Sequence, residues 1–164
     1  MGLRRRAYEP GHRAKVLVVV DDTVECTRAV TFAARRVRRT GAAIVMLAVI
    51  EPEEGQPWRG IESIMLAEAE ASATERLDHA AAIVRDLAHF EPERVIRVGK
   101  PAETVMQLID VDEDIAGLIL AAGTGKDGPG PLVNQLVGKA SALFPVPITI
   151  VPGALPAADF EALA

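Results

Sequence analysis

Apolar residues fall in short, nearly unbroken runs separated by longer mixed stretches. Lys15 to Asp21, KVLVVVD, is rich in valine. Ala43 to Ile50, AIVMLAVI, and Ile115 to Ala122, IAGLILAA, have the same character. Runs of this length without polar alternation suit strands buried on both faces, as in a parallel sheet. Glu93 to Val98, ERVIRV, alternates like an edge strand, and Pro147 to Val151 makes a short last one. Between them, a helix is expected from about Val24 to Thr40, with Thr23 as its cap and Gly41 as its stop. Ile61 to Phe90, rich in Ala, Glu, Leu and Arg, reads as a long helix with a break near Ser72 as an option. Pro101 opens a helix to about Val111, and a further one is expected from Leu132 to Leu143.

Strands alternating with helices predict an α/β domain of three layers: a doubly wound, five-stranded parallel sheet in the order 3-2-1-4-5. The domain is expected over residues 15–153, with a flexible arm at 1–14, a loop from Glu51 to Gly60 and a C-terminal tail at 154–164. In such sheets a ligand lies beyond the strand C-termini, where the strand order reverses. Asp21 would then face the Gly123–Gly130 loop across a crevice between the first and fourth strands.

That loop follows an apolar strand and precedes an amphipathic helix, a setting that favours anions such as phosphate. Three glycine codes can be tried on it. The P-loop pattern fails, because Gly125-Lys126 would need a glycine at Leu120 and a hydroxyl at Asp127. Gly138-Lys139 fails likewise, at Val133 and Ala140. Gly123, Gly125 and Gly128 match G-x-G-x-x-G, but Pro129-Gly130-Pro131 delays the helix and the next strand ends in Pro152-Gly153 with no carboxylate. Gly125, Gly128 and Gly138 fit G-x2-G-x9-G, with Lys139 where a Ser or Thr would follow.

Composition narrows the function classes. A chain of 164 residues, 49% hydrophobic, makes one domain with a core of Val, Ile, Leu and Ala. A net charge of −5 argues against a general nucleic-acid binder. Arg4-Arg5-Arg6 and Arg35, Arg36, Arg38 and Arg39 read as a solvated arm and a solvated helix end. Cys26 stands alone, so no intramolecular disulfide forms, which suits a reducing cytosol. No secretory signal follows the first arginines, and no apolar run reaches bilayer length. The expectation is a cytoplasmic protein with neither a membrane nor a nucleic acid as partner. The carboxylates Asp110, Asp112, Glu113 and Asp114 are expected to be solvated, and His12, His79 and His89 show no zinc spacing. No catalytic constellation is visible, and Cys26 reads as a small core residue. Asp21 either orients a ribose or a cation or caps the next helix.

Together, the aspartate ending the first strand, the glycine spacing and the ending PVPITIV resemble the universal stress protein family from about Lys15 to Gly153. The resemblance implies a stress-response regulator that binds ATP, with magnesium, or a related adenine nucleotide. It implies Asp21 beside the nucleotide and the backbone near Val49 on the adenine. Gly125, Gly128 and Gly138, with Gly123 beside them, would line the phosphates. Lys139 takes the place of the family's hydroxyl, with Ser141 as a substitute donor. It further implies a homodimer through the last strand, Ile148 to Val151; with Asp21 the one carboxylate placed in the crevice, at most slow ATP hydrolysis is expected. A nucleotide-free dimeric interaction module of the same fold is the alternative.

Overall fold

The computed structural model describes residues 4–52 and 61–164, the side chains of Ile61, Glu62, Lys139 and Ala140 excepted. The expected Glu51–Gly60 loop therefore falls mostly outside the described residues. Strands β1 (Lys15–Val19), β2 (Ala43–Ile50), β3 (Glu93–Val98), β4 (Ile115–Ala121) and β5 (Ile148–Val151) form one sheet in the order β3-β2-β1-β4-β5. Every neighbouring pair is parallel. The helices are α1 (Cys26–Thr40), α2 (Ile61–Ala88), α3 (Pro101–Val111), α4 (Pro131–Val137) and the short α5 (Phe160–Leu163). The expected fold class and strand order are both found.

Side chains alternate across a strand, and here both faces are dry. Val18, Val20, Ile44, Met46 and Ile119 point into a core shared with α1 and α2. Leu17, Val19, Val45, Leu47 and Leu118 point into a second core closed by α3 and α4. This is why β1 and β2 carry no polar alternation.

Three local expectations are corrected. α2 runs unbroken through Ser72. α1 begins at Cys26 with Glu25 as its N-cap residue and no side-chain cap bond, so Thr23 is not its cap. Instead Asp21 Oδ1 accepts hydrogen bonds from the Thr23 amide at 3.0 Å and from Thr23 Oγ1 at 2.5 Å. The helix expected to reach Leu143 stops at Val137, because Gly138 leaves helical geometry with ψ −131°. The chain continues as a 3-10 turn over Lys139–Leu143.

Residues 4–14, read from sequence as an arm, lie against the N-terminal end of β4. The Arg6 amide donates to the Glu113 carbonyl at 2.9 Å, and Ala7 is buried. Arg5 Nη1 donates to the Asp112 carbonyl at 2.8 Å, and His12 Nδ1 lies 2.6 Å from Asp114 Oδ1. The acidic cluster expected to be solvated is thus largely engaged. Lys15 Nζ reaches Asp112 at 2.8 Å and Glu93 at 3.0 Å. Burial pulls the Lys15 pKa down, but the hydrogen bonds to these carboxylates outweigh it, and the value ends raised. At the other end of the chain, Phe160 is buried edge-on against Phe32, with ring centres 5.6 Å apart. Arg28 stacks on Phe160 and Arg36 on Phe32, while Arg35 and Arg39 pair with Glu161. The arginine row on α1 therefore clamps the tail rather than standing free in solvent.

Two outcomes follow. A Cβ on Gly153 would lie 2.3 Å from the Ala122 carbonyl oxygen, whose own amide donates to Val151. Gly153→Ala should lower stability by about 1–3 kcal/mol, read as a lower urea midpoint at unchanged slope. An unchanged midpoint would show that this end of β5 yields freely. Because the Lys15 pKa is raised on folding, its contribution is complete below the ordinary lysine value of about 10.4 and is lost as pH rises through the folded-state value. Denaturation followed between neutral and strongly alkaline pH should show that limb flattened in Lys15→Met.

Candidate functional site

β1 sits beside β4 with a crossover leaving in each direction, so the order reverses between them. Past their C-terminal ends lies a cavity of about 370 Å³, within the ~300–1,000 Å³ range of small-molecule sites. Its apolar floor is Val19, Val49, Leu120, Leu132 and Val133. One wall is the β1–α1 turn, which brings Asp21, Asp22 and Glu25; the other is Pro129 to Pro131. Arg76 of α2 and Glu51 at the end of β2 also line it.

The β4–α4 loop is curled on itself. The Gly123 amide donates to the Pro129 carbonyl at 3.0 Å, and the Gly128 amide to the Gly125 carbonyl at 3.2 Å. Gly128 and Gly130 hold φ of +83° and +110°, conformations that glycine adopts without strain. Two loop amides are thus spent inside the loop, and Pro129 and Pro131 have no N–H to offer.

The expected site residues divide into groups. Asp21 and Val49 meet in the cavity wall and floor. Gly123 stands at its margin, where Glu25 Oε1 lies 3.0 Å from the position a Cβ would take. Gly125 and Gly128 are exposed on the loop. Gly138 ends α4 and accepts from Ser141 Oγ at 2.8 Å. Ser141 faces a separate groove beside Phe144, Ile148 and Ile150. The backbone of Lys139 opens the 3-10 turn, and its side chain lies outside the described residues.

Asp22, Glu25, Glu51 and Arg76 were not anticipated from sequence, whereas Gly130 belongs to the loop expected to face Asp21. The strand-end rule that selected Asp21 reaches Asp22 and Glu25 as well, since they share one turn. Arg76 carries no such signal: it is one polar residue between buried Ala73 and Leu77 on a long helix. Cys26 Sγ lies 3.9 Å from the Val19 carbonyl at the base of the cavity. Burial pushes its thiol up to about 11. Elsewhere, His12, Glu113 and Asp114 come close enough to share a cation, but they are joined to each other and to Arg6. His79 and His89 are exposed. No helix among the described residues is long and apolar enough to cross a membrane.

The model of the universal stress protein family matches residues 12–152. Universal stress protein UspA from Lactobacillus plantarum is 18% identical, with a TM-score of 0.73 over 84% of this chain and 97% of that one. A universal stress protein from Archaeoglobus fulgidus, solved in complex with dAMP, is 18% identical, with a TM-score of 0.62 over 84% and 97% of the two chains. A universal stress protein family protein from Arabidopsis thaliana, solved with AMP bound, is 15% identical, with a TM-score of 0.51 over 85% and 91%. No curated protein sequence matches the chain.

With its pKa near 11, Cys26 carries about a thousandth of its population as thiolate at pH 8, against roughly a quarter for an ordinary cysteine. Its reaction with dithionitrobenzoate should be slower by about a hundredfold in the folded protein than in guanidinium. Equal rates would mean that the base of the cavity opens freely to solvent.

Proposed function

Because the chain belongs to the universal stress protein family, we propose that the crevice between β1 and β4 binds an adenine nucleotide, and that the bound state regulates a stress response. The observation that carries the reading is the cavity itself. It is partly enclosed, floored by aliphatic side chains suited to a base, and edged by Asp21, which has one carboxylate oxygen engaged by Thr23 and the other available to a ribose. Relatives of the same fold solved with dAMP and with AMP support the choice of ligand. ATP is the full-length ligand of this proposal. Asp21, Asp22 and Glu51 are hard oxygen donors of the type that takes magnesium alongside phosphate oxygens, so ATP would enter with that ion. A cytoplasmic setting accords with the free thiol of Cys26.

We also propose a homodimer through β5. It is an edge strand with half-buried Ile148 and Ile150, which share a groove with the exposed Val137. The C-terminal tail lies on α1 and pairs with no strand among the described residues. An apolar edge of this kind invites pairing, and a two-fold partner satisfies it.

Denaturing mass spectrometry of the purified protein should release an adenine nucleotide, and calorimetry should show binding of adenosine phosphates. Asp21→Asn keeps the turn acceptor but loses the charge, and should weaken binding by about tenfold, the order expected for one charge-assisted hydrogen bond. No release and no heat would leave the nucleotide-free interaction module as the better reading. Light scattering at micromolar concentration should give about twice the 17.4 kDa monomer mass, and Ile150→Lys should return the monomer. A wild-type monomer there would remove the dimer.

A further inference from the structure

The crevice has an unusual charge for a site meant to hold phosphate. Among the described lining residues, Asp21, Asp22, Glu25 and Glu51 stand against the single guanidinium of Arg76. Glu25 is placed differently from the other carboxylates. Its Oε1 lies 3.0 Å from where a Cβ on Gly123 would be, so the carboxylate rests on the one side-chain-free surface at the start of the loop. The Glu25 carboxylate has no hydrogen-bond or ion-pair partner among the described residues. An anionic group already sits where the loop would admit the oxygens of a phosphate. Arg76 is likewise underused among the described residues: its Nε is buried without a hydrogen-bond partner there, while Nη1 donates to Ser72 Oγ at 3.0 Å.

Resting on the nucleotide reading above, we propose that Glu25 is the specificity-determining residue of the crevice, its carboxylate competing for the loop with ligand phosphate. The ligand's adenosine half meets the aliphatic floor and Asp21 unopposed. Each added phosphate brings negative charge toward Glu25 in a partly enclosed space, where charges are poorly screened. The crevice therefore prefers adenosine and AMP to metal-free ATP, and takes ATP only when a divalent cation offsets the charge. Arg76 offers an alternative contact for a single phosphate at the α2 wall.

Calorimetry with adenosine, AMP, ATP in chelator and ATP with magnesium, on wild type and Glu25→Gln, tests this. Glutamine keeps the size and position of the side chain and removes its charge. In the wild type, metal-free ATP should bind at least tenfold more weakly than adenosine, and magnesium should recover most of the difference. Glu25→Gln should strengthen metal-free ATP about tenfold, strengthen AMP less and leave adenosine unchanged. Because the readout is a ratio between ligands on one protein, a general loosening of the fold does not imitate it. Adenosine binding with an ATP-to-adenosine ratio that Glu25→Gln leaves unmoved would overturn the role of Glu25 and keep the nucleotide site. Binding of none of these ligands by either protein would overturn both.

Discussion

The hand of the crossover connections is the constraint from which the rest of the structure follows. A strand joined to a parallel neighbour through a helix turns almost always to the right. From β1 the chain steps outward through β2 to β3, then returns past β1 to β4 and β5. With one hand kept throughout, reversing the direction of travel moves the helices to the other face. So α1 and α2 cover one side and α3 and α4 the other. β1, at the centre, must be apolar on both faces, and its Leu17 and Val18 are fully buried on opposite sides. At the C-terminal ends of β1 and β4 the two helical layers part. No side chain is required to open a cavity there, because the topology leaves one.

The two ends of the sheet are treated differently. Beneath the strands, Lys15 pairs with Asp112 and Glu93, and His12 with Asp114, the last of these tying residues 4–14 to the base of β4. Ion pairs this exposed contribute little individually, so the backbone bonds from Arg6 and Lys15 and the burial of Ala7 do more to hold the segment. The tail is held on the same logic, by Phe160 against Phe32 with the arginines of α1 over both rings. At the crevice end the pattern inverts. The Glu25 carboxylate and Arg76 Nε have no partners there among the described residues, although partners for charge are plentiful elsewhere in the fold.

The fold was legible in the sequence because burial on both faces leaves a direct mark: KVLVVVD and AIVMLAVI have no polar alternation to mistake for anything else. Asp21 and Val49 were legible for a related reason, since each lies at or near the end of such a run and topology sends run ends to the crevice. What failed was local. Thr23 had the chemistry of a helix cap, yet Asp21 captured its amide and hydroxyl first. The helix expected to reach Leu143 had the right periodicity, yet Gly138 ends it at Val137. Whether residues 4–14 would dock depended on carboxylates about a hundred positions away, a pairing that no local pattern encodes. Arg76 was invisible because a polar residue on a helix is ordinarily solvated.

Glycine spacing therefore says less about phosphate than it first suggests. Glycines at fixed intervals are needed for a backbone cradle, but a cradle also needs free amides. Here Gly123 and Gly128 bond to carbonyls within their own loop, two prolines interrupt it, and the helix behind it has 7 residues. Each feature takes donors or dipole away from the phosphate end. The floor of the cavity suffers no such loss, since Val19, Val49, Leu120 and Val133 are held by the same strands and helix that close the core. On the proposed reading, recognition in this crevice weighs toward the apolar, base-sized part of a ligand. A charged end would meet a site where the described carboxylates outnumber the described cations and where the Glu25 carboxylate rests on the loop's own glycine.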